Sequence, residues 1–424
     1  MSPAPDTESP RSGPAGPSRA AFAFIFVTVL LDMLALGIIV PVLPKLIIEF
    51  EGGDSASAAL YYGLFGTVWA GMQFLFSPVL GALSDRFGRR SVILLSTFGL
   101  AVDYFIMAAA PTLGWLFLGR VLSGITSASY ATAYAYIADV TVEQKRAGYY
   151  GLLGAAFGIG FVLGPAVGGL LGGINLRLPF WVAGAMSLVG TAYGFFILPE
   201  SLPPERRSPL NLRHANPLGS LAFLRARPAL LALATSAFLY RVAHDVLPSL
   251  FVLYGDYRYA WSETTVGLVL AAVGVASMVV QVGLVGRATG RFGEGRVLLA
   301  GFGFGALGFT VYGLAPTGPL FLVGIPLGAL LGLFFPSLQG ILTSQVGPSE
   351  QGRLQGALAS LMGIAGIIAP LLFTQVFAAA IGPLLPLGLP GLPFLLAATL
   401  LVVGATIAAR PALSWRRPGG ARAE

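Results

Sequence analysis

Gly81-Ala-Leu-Ser-Asp85-Arg86-Phe87-Gly88-Arg89-Arg90 returns 205 residues later as Gly286-Arg-Ala-Thr-Gly290-Arg291-Phe292-Gly293-Glu294-Gly295, and each copy lies between two long apolar stretches. The segments share an unbroken Arg-Phe-Gly core. A repeat at about half the chain length, inside a hydrophobic sequence, is the pattern of a helical membrane protein whose two halves rock around a central site.

Composition supports the same class. With 56% hydrophobic and only 10% charged residues, the 424-residue chain cannot supply an ordinary soluble surface. The absence of cysteine excludes disulfides, thiolate catalysis and thiolate metal sites. His214 and His244 are the only histidines, too few for a metal site or a His-based triad to be expected. No Gly-x-x-x-x-Gly-Lys-Ser/Thr phosphate loop occurs, so uphill work would draw on an ion gradient or a separate subunit. No resident cofactor, metal or nucleic-acid partner is expected, and the chain is not read as an enzyme.

Stretches long and apolar enough to cross a bilayer predict twelve helices over 21–43, 58–80, 91–110, 113–138, 147–172, 178–198, 229–254, 264–286, 297–314, 318–343, 352–378 and 386–409. The first exceeds a signal-peptide core and contains Asp32, so it is expected to be a spanning helix. The expected organisation is a disordered tail (1–20), a six-helix domain (21–198), an Arg-rich linker (199–228), a second six-helix domain (229–409) and a tail (410–424). Of the 25 Lys and Arg, only Lys45, Arg177 and Arg258 fall outside and only Arg120 and Arg241 within the bilayer if both termini are inside. The positive-inside rule thus predicts cytoplasmic termini in a multi-pass inner-membrane protein and accounts for the net charge of +7.

Gly81 to Arg90 resembles the loop between helices two and three of the major facilitator superfamily, and Arg120-x-x-x-Gly124 resembles its helix-four motif. Gly160-Phe-Val-Leu-Gly164-Pro165-Ala-Val-Gly168-Gly169 resembles the helix-five motif of its proton-driven antiporters. Leu31-Asp32, Pro41-Val-Leu-Pro44, Met72-Gln73-Phe74, Val102-Asp103-Tyr104 and Tyr136-Ile-Ala-Asp139 look like the tetracycline/proton antiporter branch. Tyr254-Gly-Asp256-Tyr-Arg258 and Gln351 to Ser360 are similar to it in the second half. The resemblance implies an all-α fold of two six-helix halves with a midplane substrate site. It implies gating by Gly81, Asp85, Arg86, Gly88, Arg89 and Arg90, with Asp85 near the start of helix eleven around Gln351 and the loop's basic residue near Asp139.

The residues carry readings of their own. Gly160, Gly164, Gly168 and Gly172 recur every fourth position and line one helix face, while Pro165 removes a backbone bond; tight packing and a proton-tight seam are both open. A charge at the centre of a span costs roughly 2.5–3.5 kcal/mol, so Asp32, Asp103 and Arg120 are candidates for proton coupling, Arg120 being equally a fixed counter-ion. A carboxyl group in an apolar cavity can take up and release a proton as its surroundings change. Arg241 and Asp245 are spaced to pair within one helix. Gln73, Tyr104, Tyr136, Gln339, Arg241 and Asp245 are candidates for the cavity wall.

The expected function is proton-coupled export of a small amphipathic drug, with a tetracycline-like compound as the lead and a divalent cation allowed as companion of the substrate. The alternatives are a proton-coupled importer of a sugar or metabolite and a non-transporting receptor. The sequence also departs from the branch: Val297–Leu314 lacks the acid expected in helix nine and Val266–Gly286 the histidine expected in helix eight. Helix seven instead carries Arg241, His244 and Asp245.

Overall fold

Phe87 and Phe292 each end a long helix, and a single glycine turns the chain into the next one. In the computed structural model, which describes residues 19–127, 130–141, 143–207, 222–225, 227–347 and 350–415, Gly88 has φ 100° and ψ 151° and Gly293 has φ 79° and ψ 152°. Only glycine tolerates that region without strain. The turn amide donates back to Ser84 O in the first copy and to Thr289 O in the second. The repeated segment is therefore mostly helix with a one-residue turn, rather than a loop spanning the gap between the predicted helices 58–80 and 91–110.

All regular elements among the described residues are helical. The first half comprises α1 (Arg19–Ile39), α2 (Leu43–Phe50), α3 (Ser55–Phe87), α4 (Arg89–Ala109), α5 (Leu113–Thr126), α6 (Tyr130–Val140), α7 (Glu143–Ile174) and α8 (Leu178–Ile197). A four-residue helix, α9 (Ala222–Arg225), precedes the second half. That half comprises α10 (Pro228–His244), α11 (Val246–Tyr259), α12 (Glu263–Met278), α13 (Val285–Phe292), α14 (Glu294–Leu314), α15 (Gly318–Ala329), α16 (Phe334–Ser344), α17 (Gln351–Ile381) and α18 (Leu392–Ser414). A π turn, Val279–Leu284, joins α12 to α13.

Eleven of the predicted spans are long and apolar enough to cross a membrane among the described residues; in the remaining one, 113–138, α5 and α6 lie on either side of residues 128–129, which are outside the described residues. Several helices run past the apolar windows, α3 to Phe87 and α12–α13 to Phe292, because hydropathy registers the oily middle of a helix and not its polar ends. Most of the tail 1–20, linker residues 208–221 and 226, and residues 416–424 lie outside the described residues, as do the side chains of Lys145 and Arg146.

Two seams join the halves. Along the first, α3 meets α17: Gly63 lies at Thr374, Gly66 at Pro370 and Phe74 at Gly363, and Thr67 Oγ1 donates to Ile367 O at 2.8 Å. Along the second, α7 meets α12: Pro165 and Gly169 lie at Gly267, Gly173 at Thr264 and Val162 at Gly274. Pro165 and Pro370 stand 205 residues apart, the same offset as the two Arg-Phe-Gly turns, and each opposes a glycine across its seam. Close packing of small residues with isolated interhelical hydrogen bonds, worth on average about 0.6 kcal/mol each, gives surfaces that can part.

Candidate functional site

The first-half site is a buried charge pair in which neither partner is saturated. Asp103, on α4, is fully buried; the Ser123 hydroxyl of α5 is close enough to act on its carboxylate, but neither oxygen makes a well-formed hydrogen bond. Arg120, on α5, is 7% exposed; its Nε and Nη1 are also without partners. Its charge acts on Asp103 without forming an ion pair within 4.0 Å among the described residues. Packing explains the placement. Gly124 lets α5 approach α3 so closely that a Cβ there would lie 2.6 Å from Trp69 O, and one turn earlier the Arg120 guanidinium sits over the Trp69 ring at 5.4 Å. The Arg-x-x-x-Gly spacing thus fixes both the helix approach and the charge.

Asp32, on α1, is 6% exposed and forms no ion pair among the described residues. Its neighbours Met33, Leu34 and Gly37 pack against Gly160 and Gly164 of α7. A Cβ at Gly164 would lie 2.6 Å from Gly37 Cα, so the every-fourth-residue glycine face is the bed on which the Asp32 helix rests. Pro165 and Gly169, on another face of α7, meet α12 instead. The motif therefore joins a contact within the first half to one of the two seams between halves.

At the face carrying the described ends of the chain, Arg89 gathers the expected gating residues. It pairs with Asp85 at 2.6 Å and Asp139 at 3.1 Å and donates to Ser84 Oγ at 2.6 Å. Arg90 donates to Phe195 O at 2.6 Å, whereas Arg86 forms no ion pair among the described residues. The expected proximity of a basic loop residue to Asp139 is present through Arg89. Asp85 pairs with Arg89, and the Gln351 side-chain amide donates to Thr343 O at 2.7 Å. Sequence reasoning missed Glu200, which accepts from the amide of Arg89 at 2.8 Å and from those of Ser201 and Leu202 at 3.0 Å, and abuts Gly88. Its signal was a carboxylate directly after Pro199, where the sixth span ends.

The remaining candidates divide. Tyr104 and Tyr136 are buried, the latter donating to Pro199 O at 3.0 Å, and so do not line open space in this conformation. Gln73 is half-buried, and Gln339 accepts from Gln355 Nε2 at 3.1 Å. Where α10 gives way to α11, Arg241 Nε meets Asp245 Oδ2 at 2.8 Å and His244 Nδ1 lies 3.5 Å from Asp245 Oδ1. Asp245 is buried there, while the side chains of Arg241 and His244 are 44% and 49% exposed. Tyr240 stacks on Phe334 at 4.3 Å beside them. No group of three or more metal-ligating side chains occurs among the described residues.

Comparison with known proteins bears on the family and the fold. The sequence pattern of the Major Facilitator Superfamily matches residues 25–285 and 233–422. The chain is 42% identical to the class C tetracycline resistance protein of Escherichia coli over 86% of its own length and 91% of that protein's. It is 38% identical to the class G protein of Vibrio anguillarum over 86% and 92%. Among solved structures, a bacterial homologue of the human lysosomal transporter Spinster superposes with a TM-score of 0.74 at 18% identity, covering 94% of this chain and 98% of that one. The human organic anion transporter TETRAN gives 0.68 at 24%, covering 93% and 100%.

Proposed function

The chain belongs to the Major Facilitator Superfamily and resembles its tetracycline/proton antiporters, and from that premise we propose that it exports a tetracycline-like amphipathic drug in exchange for protons. Similarity to the tetracycline resistance proteins supports the cargo. The observation that carries the coupling is Asp103, a carboxylate buried with Arg120 and the Ser123 hydroxyl nearby but with no well-formed hydrogen bond or ion pair to either. A proton arriving at such a group neutralises it and frees Arg120; its departure restores the attraction. Asp32, buried on the helix that rests against α7, is the second proton-accessible acid in this reading.

The two seams support a reading of alternating access. The hydrogen bonds between halves in these seams lie away from the termini, whereas at the termini face Arg89–Asp139 stays within the first half and Arg227–Glu350 joins the end of the linker to the second. The conformation is accordingly read as closed on the opposite face, with the termini in the cytoplasm and the chain in the inner membrane. Everted vesicles containing the protein should accumulate tetracycline when an inside-acid pH gradient is imposed and release protons as they do so. Uptake that ignores the gradient would remove the antiport reading, and a gradient-driven cargo other than tetracycline would correct the substrate alone.

A further inference from the structure

On the face opposite the termini, the second-half loop closes around one lysine of the first half. We propose that Lys45, held by Asp256 and Glu263, is the latch that keeps this face shut during the transport cycle, and that its release is a step in opening it. Lys45 Nζ pairs with Asp256 at 3.0 Å and Glu263 at 3.2 Å and donates to Trp261 O at 2.7 Å. All three ammonium hydrogens thus have acceptors on the opposite half.

Both sides of the latch are rigidly mounted. Lys45 sits on α2, which restarts after the turn at Val40–Val42. Asp256 lies in the last turn of α11 and Glu263 begins α12, and Trp261 between them packs against Phe251, Tyr259 and Phe321. Glu263 also lies against Gly169 and Gly172 of α7, so the lysine anchors the end of the second seam. Nearby, Tyr62 of α3 donates to Pro248 O of α11 at 3.0 Å.

The charges are placed for reversible release. The Lys45 side chain is 10% exposed, Asp256 31% and Glu263 22%, and all three line a solvent-open cavity of about 210 Å³ together with Glu49. When the halves part, water enters and rehydrates each charge, so separation does not strand an ion in hydrocarbon. The proposal concerns which conformation the molecule occupies and holds whatever the cargo.

The lack of cysteine makes the test direct. A single reporter, Thr67→Cys, placed in the α3–α17 seam, is labelled with a membrane-impermeant maleimide applied separately from each face. Lys45→Gln should raise the labelling rate from the face opposite the termini by about fivefold, equivalent to about 1 kcal/mol, without raising it from the termini face. Asp256→Asn/Glu263→Gln should do the same, and Lys45→Glu/Asp256→Asn/Glu263→Lys should return the rate toward that of the reporter alone. Unchanged rates in both neutral variants, or an equal rise from both faces, would overturn the latch.

Discussion

Gly119 leaves room for Asp103: a Cβ at Gly119 would stand 2.7 Å from Asp103 Oδ1. The glycine next to Arg120 therefore determines how the two charges face one another. Gly119→Ala forces Asp103 or the adjacent Met107 to move, and overpacking of this kind typically costs about 1–3 kcal/mol. The variant should melt earlier in detergent and lose proton-driven export even though no ionisable group has changed. An unchanged melting midpoint with full export would show that the contact is slack.

Asp103→Asn separates chemistry from stability. Because the carboxylate makes no well-formed hydrogen bond and an amide oxygen can still face the Ser123 hydroxyl, the replacement orphans no donor, and it removes a charge that is expensive to bury. Export should vanish while the melting midpoint holds or rises. Asp32→Asn should also impair coupling or substrate binding, with pH-jump measurements in vesicles distinguishing the two. A folded Asp103→Asn protein with normal gradient-driven export would exclude this acid from the mechanism.

Arg89 uses its geometry as well as its charge. Nε meets Asp139 while Nη1 meets Asp85 and Ser84, a division that a lysine ammonium on a flexible stem does not reproduce. Arg89→Ala should slow exchange by an amount between the roughly 0.5 kcal/mol of an exposed pair and the roughly 3 kcal/mol of a buried one. Equilibrium substrate affinity should change little, and Arg89→Lys should recover only part of the rate. Loss of affinity at unchanged turnover would place Arg89 in binding instead of switching.

Asp245 is buried against Arg241, and that arrangement favours its action as a counter-ion. Asp245→Asn leaves the half-exposed guanidinium unpaired within a span, at a penalty below the roughly 2.5–3.5 kcal/mol of a charge at the centre of a span. The double Arg241→Gln/Asp245→Asn variant should regain expression and export. A well-expressed double variant without export would assign the pair to the substrate or proton route.

The class of fold was legible because span length and repeat spacing are properties of the chain itself. Gly88 and Gly293 adopt nearly the same backbone, as the repeated Arg-Phe-Gly implied. The pairing of Arg241 with Asp245 was legible too, since four residues bring side chains onto one helix face. Contacts across helices were not. Glu200 reaches Arg89 over 111 residues, and Lys45 reaches Glu263 only after both halves have docked. For Tyr104 the sequence left both the cavity wall and packing open, and in this conformation it packs within the first half.

The paired glycine turns provide an internal control that the molecule carries in its own backbone. At Gly88 a Cβ would run into the Glu200 carboxylate, whereas nothing lies within 4 Å of one at Gly293. Replacing Gly293 by Ala consequently measures the torsional penalty of the turn by itself. The same change at Gly88 adds displacement of an acid, and the difference between the two isolates what that acid contributes.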